Sequence, residues 1–371
     1  MKISIIDIGS NTIKLVIYEV RKDNSFIGIH QESTKVKLGE SLAYSDSLNE
    51  QSILKSIDVL LQYRDIARLE AANKVLCVGT SAVREARNGQ YFIDQVLEKT
   101  GFRVRVLNGE EEAYYSYLGA SMMSCIPNGL FFDLGGGSLE LVYTEDFNVK
   151  KAEALPLGAL RLSRTFANED GSFSKKNCDN MTQRILDTLP TKKNYGIGID
   201  TLLVGAGGTL RALGRYEQKH SGFPFEKIHN YRLKLDTIDS LRDDLSFLKP
   251  REISSRWSFD STRVETVVAG IHVIHSIMEK FDFEEVIISG YGIREGILAS
   301  FIQNPNTLEN HNIERLEKQI AKIVSYNSHK YDISNFGLHD MARDMIYHRL
   351  LKEREVEILS YALYTLSRLP Q

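Results

Sequence analysis

The chain has 371 residues, of which 46 are Lys or Arg and 49 are Asp or Glu, so its formal net charge is −3. This balance excludes a globally basic nucleic-acid binder, and a polyanionic ligand would need a local basic patch instead. Cys77, Cys125 and Cys178 lie far apart with no CxxC spacing, which argues against a disulfide framework or a zinc site and fits a reducing cytoplasm. No apolar run reaches the roughly 18 residues that a membrane helix needs, so we expect no membrane as a partner. The charge balance likewise gives no reason to expect a nucleic-acid polymer.

The first third of the chain alternates between strand and helix patterns. A capping-box pattern at Ser47-Leu48-Asn49-Glu50 predicts the start of the first helix, and Gly101 predicts the end of a later one. In chain order, the pattern predicts two strands joined by a tight turn over 3–20, a strand over 26–37, a helix to about 72, a strand over 74–78, two short helices, a strand over 102–107 and a helix from 109.

The strand–turn–strand pattern at the start of the chain recurs in its middle. The segment DIGSNTIKLVIYE at 7–19 matches DLGGGSLELVYTE at 133–145 without a gap, with aspartate and glycine at the same register in both copies. Two unrelated hairpins that both need a tight turn would explain the glycines alone. The repeated aspartate favours a duplication, and the repeat therefore predicts two domains built on one plan.

The rest of the chain continues the alternation and then becomes helical. A strand over 202–204 leads into the glycine-rich stretch 205–209, and the apolar spacing from 304 onwards is typical of helices. Strands alternating with helices predict an α/β fold. The predicted parts are an N-terminal lobe over 1–125, a second lobe over 126–300 and a helical appendage over 301–371.

Three glycine-rich stretches follow predicted strands, at 9–12, 135–138 and 205–209. Glycine turns let backbone N–H groups approach an anion, because no Cβ intervenes. Each stretch alone is a weak signal, but together they predict a cleft whose donors suit a run of phosphates. The residues assigned to phosphate on this basis are Gly9, Ser10, Asn11, Thr12, Gly135, Gly136, Gly137, Ser138, Gly207, Gly208 and Thr209.

Asp7 and Asp133 stand beside two of these turns. A carboxylate repels phosphate, and its natural partner is a hard divalent cation, so we expect these aspartates to hold Mg²⁺ through water. The alternative is that each aspartate only caps its own turn. The repeated pairing of aspartate with a glycine turn favours the metal role.

Hydrolysis also requires a base or a water-orienting group. The candidates are Glu112, one turn into a predicted helix, and Glu140, on the strand after the second glycine turn. Acidic residues at a helix start can serve only the helix dipole, which is the favoured interpretation for Glu110 and Glu111. Lys14 occupies, in the first copy, the register of Glu140, so one copy offers a cation to the substrate and the other a carboxylate to the water.

Other charged residues carry weaker signals. Arg84 follows a strand-to-helix junction, where a guanidinium could grip phosphate oxygens in a bidentate manner; a surface pair with Glu85 or Glu112 is the alternative. For Arg263, a salt bridge between the lobes is at least as strong an interpretation as phosphate binding. His272 and His275 lie on an apolar helix without a carboxylate that completes a metal-ligand pattern, so we expect core or interface histidines.

The sequence resembles the Ppx/GppA family of exopolyphosphatases and guanosine pentaphosphate phosphohydrolases. Eight motifs carry the resemblance, in order: DIGSNTIKLVI, GTSAVREARNG, LNGEEEAYYSYLGA, FFDLGGGSLELV, LPLGALRL, VGAGGTLRALGRY, RVETVVAG and SGYGIREGIL. They span about residues 3–300. The resemblance implies two ribonuclease-H-like lobes of the actin/hexokinase superfamily around a central phosphate cleft.

The resemblance also implies roles for particular residues. Glu112 would be the catalytic base, Glu140 would align the water or support the metal, and Asp133 would help to hold Mg²⁺. Arg84 matches the family's arginine near the cleft. The implied activity is that of an exopolyphosphatase, which releases terminal orthophosphate from inorganic polyphosphate, and the family suggests a homodimer.

Three other functions compete with this one. A guanosine pentaphosphate 5′-phosphohydrolase would use the same groups, and a regulatory protein could bind (p)ppGpp without turnover. A sugar or acetate kinase of the same superfamily is disfavoured, because GEEEA and SAVREA belong to the phosphatase branch. Longer family members add an HD-type helical domain; here His339-Asp340 is a lone dipeptide, so we interpret 301–371 as a helical remnant without metal chemistry.

Overall fold

Two mixed sheets, each opening with an antiparallel hairpin, organise the chain. The computed structural model describes residues 1–22, 24–121, 126–223, 227–257, 259 and 263–303. Residues 304–371 of the predicted helical appendage, with His339-Asp340, lie outside the described residues, as does Cys125. The boundaries of the predicted lobes stay a prediction. No helix within the described ranges has the length and apolar character needed to cross a membrane.

The first sheet has five strands in the order β3-β2-β1-β4-β5. β1 runs antiparallel to β2 and parallel to β4, so the crossover to β4 carries a helix, as parallel pairing requires. The strands are β1 (Lys2–Ile8), β2 (Thr12–Val20), β3 (Phe26–Lys35), β4 (Lys74–Gly79) and β5 (Val104–Val106).

The described residues of the first half form four α-helices: α1 (Glu50–Leu69), α2 (Ser81–Glu85), α3 (Gly89–Thr100) and α4 (Gly109–Ser121). The last of these, α4, packs against the second sheet. The capping box predicted at the start of α1 is wrong. The N-cap is Asn49 rather than Ser47, and its side chain accepts a hydrogen bond from the backbone amide of Gln51. The predicted end of α3 is confirmed: Gly101 adopts the left-handed conformation, with φ of 77°.

The second sheet has six strands in the order β10-β11-β9-β6-β7-β8. Its strands are β6 (Gly129–Leu134), β7 (Leu139–Glu145), β8 (Asn148–Leu155), β9 (Leu202–Gly207), β10 (Arg232–Lys234) and β11 (Glu285–Ile288). The described α-helices of the second half are α5 (Ala159–Phe166), α6 (Lys175–Thr188), α7 (Lys192–Tyr195), α8 (Gly208–His220), α9 (Leu235–Leu245), α10 (Pro250–Trp257), α11 (Val267–Phe281) and α12 (Ile293–Gln303). Of these, α12 packs against α4 and β1.

The structure confirms that the two halves share one plan. Leaving out β10, the second sheet repeats the first strand for strand, with β6, β7, β8, β9 and β11 in the places of β1 to β5. Both glycine turns close in the same way: the amide of Gly9 donates to the carbonyl of Thr12 over 3.2 Å, and that of Gly135 to Ser138 over 3.0 Å. The α/β fold that the sequence predicts is therefore correct.

The third glycine-rich stretch is not a loop. β9 runs through Gly207, and α8 begins at the next residue, so strand and helix meet without an intervening turn. Gly207 has φ of 110°, a conformation that side chains with a Cβ rarely adopt. The prediction of a loop is therefore wrong, because one left-handed glycine suffices to turn the chain from strand to helix.

The core position expected of the two histidines is confirmed. His272 is 6% exposed and His275 is 3% exposed, and both lie on α11. The ring of His272 lies within 3.0 Å of two hydroxyl groups, those of Thr182 and Ser246, which satisfy both nitrogens without a charge. A neutral imidazole in this position joins α11 to α6 and to the residue that follows α9.

Lowering the pH from 7 to 5 should destabilise the fold through His272. Burial, together with the charges of Arg242 and His275, lowers the pKa of His272 from its ordinary 6.5 to about 4. Within this window the unfolded chain binds a proton that the folded chain excludes, so the free energy of unfolding falls by about 2 kcal/mol from this residue. Urea unfolding at both pH values measures it.

The matched variants for this measurement are His272→Asn and His220→Asn. The first should show a pH dependence smaller than that of the wild type by about 2 kcal/mol. The second removes an exposed histidine of α8 and should keep the wild-type dependence. Equal pH dependence in the wild type and His272→Asn would contradict the assignment.

Candidate active site

A cleft lies where the two hairpins meet. Its wall combines the glycine turns with the first residues of α8 and α12 and one face of α4. The predicted site residues that line it are Asp7, Gly9, Ser10, Asn11, Thr12, Lys14, Glu112, Asp133, Gly135, Gly136, Ser138, Glu140, Gly207, Gly208 and Thr209. Of the predicted set, Arg84 and Gly137 do not line the cleft.

The two glycine turns touch each other at the base of this cleft. A Cβ on Gly136 would lie 3.2 Å from the backbone nitrogen of Asn11, and one on Gly137 would overlap the hydroxyl groups of Ser10 and Ser81. Those two hydroxyl groups are themselves hydrogen-bonded at 2.9 Å. Gly137 thus lets the two turns approach each other, while Gly9, Gly135 and Gly136 line the cleft.

The repeat places two pairs of charged side chains at equivalent positions of the two hairpins. Asp7 pairs across the first hairpin with Lys14, and Asp133 pairs across the second with Glu140. Directly paired residues point to the same face of a sheet, and all four of these line the cleft. The asymmetry between Lys14 and Glu140 that the sequence predicts is therefore present at equivalent positions of the two sheets.

The carboxylates of the cleft are buried close to one another. Burial raises the pKa of Asp7, and the charge of Asp133 raises it further, while Lys14 and Arg294 oppose the shift. Burial also raises the pKa of Glu140 well above its usual range, with Glu112 and Asp133 adding to the effect. A concentration of carboxylates that repel each other is typical of a functional site rather than of a packed core.

Glu112 is positioned by α4 and by Arg84. It is 6% exposed, and its Oε2 accepts a hydrogen bond of 2.6 Å from Arg84 Nη1, which also donates to the carbonyl of Leu107. Burial raises the pKa of Glu112 to about 7, against the opposing effect of Arg84. A carboxylate with a pKa near the working pH is suited to proton transfer. Arg84 holds Glu112 here, and its proposed grip on phosphate stays a prediction.

The oxygen atoms of the cleft are suited to magnesium. Oε1 of Glu140 is buried without a hydrogen-bond partner among the described residues, while the hydroxyl of Ser138 donates to its carboxylate. The described part of the chain contains no group of three or more His, Cys, Asp or Glu side chains placed to bind a metal directly. Magnesium takes few protein ligands and keeps several waters, and its binding near Asp7 and Asp133 stays a prediction.

Four cationic side chains line the same cleft: Lys14, Arg211, Arg263 and Arg294. Burial lowers the pKa of Lys14 to about 8, and the charge of Arg294 adds to this effect, while Asp7 opposes it. Cations that are gathered against their mutual repulsion favour an anionic ligand between them. The guanidinium of Arg263 lies over Gly208, so its place is in the cleft.

Sequence reasoning missed Arg211 and Arg294 altogether. Arg211 donates to the carbonyls of Gly207 and Gly290, at 3.1 and 2.9 Å, which holds its guanidinium against the glycine junctions. Arg294 is 9% exposed, and its Nη1 has no hydrogen-bond partner among the described residues. Both arginines lie in motifs that carry the family resemblance, which is the one signal that could have found them.

An interlobe contact fixes the helix that carries Arg294. The hydroxyl of Tyr18, on β2, donates to the carboxylate of Glu295, on α12. The other oxygen of Glu295 accepts from the amide of Gly292 at 2.8 Å, which caps the start of that helix. Arg294 is thereby held between the two hairpins, close enough to Asp7 and Asp133 to interact with their charges.

Duplicated α/β halves, with facing glycine turns and a cleft of mixed charge between them, define a protein of actin-like architecture with a site suited to an oxyanion. Residues 16–304 match the sequence profile of the Ppx/GppA phosphatase family, and the chain belongs to that family.

Three curated relatives represent the range of similarity. The bifunctional 3-dehydroquinate synthase/phosphatase of Fusobacterium nucleatum is 28% identical over 81% of this chain, which spans only 46% of that protein. Exopolyphosphatase 1 of Mycobacterium leprae is 26% identical over 80% of this chain and 88% of its own length. Guanosine-5′-triphosphate,3′-diphosphate pyrophosphatase of Vibrio atlanticus is 24% identical over 87% of this chain and 64% of its own length.

Among solved structures, an exopolyphosphatase from Cytophaga hutchinsonii superimposes with a TM-score of 0.76 at 25% identity. The match covers 82% of this chain and 98% of that one. The fold of this family is therefore the fold of this chain.

Proposed function

We propose that the chain is an exopolyphosphatase that releases orthophosphate from the end of inorganic polyphosphate. The observation that supports this most directly is the position of Glu112. It is a buried carboxylate with a pKa near 7, and it lines the same cleft as the two glycine turns and four cations. A base, a run of anion-binding amides and fixed positive charge are the parts that phosphoryl transfer to water needs.

In this proposal the terminal phosphates lie between the two hairpins. Backbone N–H groups of the glycine turns, with Lys14, Arg211 and Arg294, bind their oxygen atoms. Glu112 accepts a proton from water as the water oxygen attacks the terminal phosphorus in line. The bond from that phosphorus to the bridging oxygen breaks, and the electron pair stays on the shortened chain. The fixed cations stabilise the charge on that leaving oxygen.

Magnesium, held near Asp7 and Asp133, would neutralise phosphate charge and polarise the phosphoryl oxygens. Glu140, beside Glu112 and Asp133, would orient the attacking water through its unpartnered Oε1. Most of the catalytic effect then comes from positioning and electrostatic stabilisation, as is usual for phosphoryl transfer.

The substrate is tested by phosphate release from polyphosphates of graded length, with guanosine pentaphosphate assayed alongside. We expect a higher kcat/KM on polyphosphate, because the described lining of the cleft includes no aromatic side chain on which a guanine base could stack. A higher kcat/KM on guanosine pentaphosphate would instead assign the nucleotide as substrate. Tight binding of guanosine tetraphosphate with no phosphate release from either substrate would indicate a regulatory binding protein.

A further inference from the structure

Beside the cleft, one carboxylate gathers three basic side chains. Glu265 lies 3.0 Å from Nζ of Lys35, 2.7 Å from Nζ of Lys37 and 2.8 Å from Nη2 of Arg164. Burial would raise the pKa of Glu265, but the hydrogen bonds from Lys37 and Lys35 overcome this effect and hold it at about 2. Glu40 also pairs with Arg164 and with Lys37. We call these five residues the Glu265 cluster.

The Glu265 cluster adjoins the glycine turn of the first hairpin. Lys35 is the cross-strand partner of Thr12, and the amide of Lys37 donates to the carbonyl of Asn11 at 2.9 Å. Both Thr12 and Asn11 line the cleft. The cluster is therefore carried by the same backbone that forms the phosphate cradle.

The cluster also adjoins the cleft from the second half. Arg263 and Thr266 flank Glu265 in sequence, and both line the cleft. An anion that extends out of the cleft on this side would reach the cluster next. The four charged groups of the contact are between one fifth and one third exposed, so solutes can reach them without unfolding of the chain.

The chemistry of the contact is that of an oxyanion site. Two ammonium groups and a guanidinium surround the carboxylate of Glu265, and Glu40 pairs with two of these cations. A phosphate presents the same kind of oxygen to such donors with more charge. We propose, on the basis of the exopolyphosphatase function above, that Lys35, Lys37 and Arg164 form a distal phosphate subsite. Glu265 occupies this subsite when no polyphosphate is bound, and the phosphates of a long polyphosphate displace its carboxylate.

Chain length separates this subsite from the catalytic cleft. Tripolyphosphate is short enough to be held by the glycine turns and the cleft cations alone. A long chain continues past Arg263 and exchanges the carboxylate of Glu265 for its own oxygens. The subsite should therefore affect KM for long chains and leave hydrolysis of tripolyphosphate nearly unchanged.

The cluster also joins the two halves of the fold, and this effect needs its own control. Lys35, Lys37 and Glu40 follow the first hairpin, whereas Arg164 and Glu265 belong to the second half. A second ion pair, between Glu85 on α2 and Arg161 on α5, also joins the halves, but there the carboxylate meets a single cation. Glu85→Gln thus removes an ion pair between the two halves and leaves the Glu265 cluster unchanged.

The experiment compares KM and kcat on tripolyphosphate and on long-chain polyphosphate for four proteins: the wild type, Lys37→Gln, Glu265→Gln and Glu85→Gln. Lys37→Gln should raise KM for the long chain roughly tenfold, because a charge-assisted contact is lost, with less than about a twofold change on tripolyphosphate. Glu265→Gln should lower KM for the long chain, since Glu40 is then the one carboxylate of the cluster that still competes for the cations. Glu85→Gln should change both substrates by the same factor.

Two results would overturn the proposal. If Lys37→Gln and Glu265→Gln change both substrates equally, as Glu85→Gln does, the cluster is only an interlobe contact. If Glu265→Gln weakens binding of long chains, the glutamate does not compete with substrate. Absence of phosphate release from every polyphosphate by the wild type would be a different failure, because it would remove the proposed function together with the subsite.

Discussion

Glu112→Gln should lower kcat for phosphate release by about 10²- to 10⁴-fold, the usual effect of removing a general base. The glutamine keeps an oxygen that can accept the hydrogen bond from Arg84, so the surroundings of α4 should persist. KM should change little, since in the proposed mechanism Glu112 contacts the attacking water and the phosphate oxygens are bound by other groups. Steady-state kinetics on tripolyphosphate, with circular dichroism to verify the fold, measures both quantities.

The pH profile makes this prediction specific to the base. Only the ionised carboxylate accepts a proton, so kcat/KM of the wild type should rise with pH and level off above about 7, the value to which burial raises the pKa of Glu112. Glu112→Gln should lose this acidic limb. Glu110→Gln is the matched control: it removes the same charge from the start of the same helix, on an exposed side chain. A variant Glu112→Gln with near-normal kcat would show that another group is the base.

The duplicated hairpin was the part of the site that sequence could predict. A glycine turn joins two strands that are adjacent in sequence. Two segments that match without a gap therefore place their corresponding residues at equivalent positions in the two hairpins. Asp7 therefore pairs with Lys14 as Asp133 pairs with Glu140. The local pattern predicts this placement because cross-strand register in a tight hairpin follows from the length of the turn.

The cations of the cleft could not be predicted in the same way. Arg211 and Arg294 come from the first turns of α8 and α12, and only the packing of those helices brings them beside the hairpins. For Arg84 the sequence left two glutamate partners open, Glu85 and Glu112, and the fold selects Glu112. A basic residue after a glycine junction could pair with any of several acidic residues or carbonyl groups. Only the tertiary fold determines which of them it contacts.

The crossing of α4 and α12 sets the position of the proposed base, Glu112, relative to Arg294, a cation that no local pattern predicted. Glu112 lies on α4 and Arg294 on α12, and the two helices come into backbone contact at their glycines. Gly119 lies against the carbonyl of Gly292, and Gly296 lies against the carbonyl of Tyr115. No side chain separates the helices there, so the crossing sets the relative position of the two cleft residues.

Gly119→Ala and Gly296→Ala should each reduce the free energy of unfolding by roughly 3 kcal/mol. A Cβ at either position would overlap a backbone carbonyl of the other helix, far inside van der Waals contact. A backbone atom cannot rotate away as a side chain can, so relief requires separation of the helices. Glu112 and Arg294 would then move apart, and kcat should fall even in the fraction that stays folded.

Gly198→Ala is the matched control, because a Cβ there would meet no atom within 4 Å and the glycine does not need a left-handed conformation. Urea unfolding should place it near the wild type, while the two helix-crossing variants unfold at lower urea concentration with an unchanged m-value. Should Gly119→Ala and Gly296→Ala match Gly198→Ala in both stability and kcat, the helices must be free to separate without cost. The crossing would then not be what holds the base opposite the arginine.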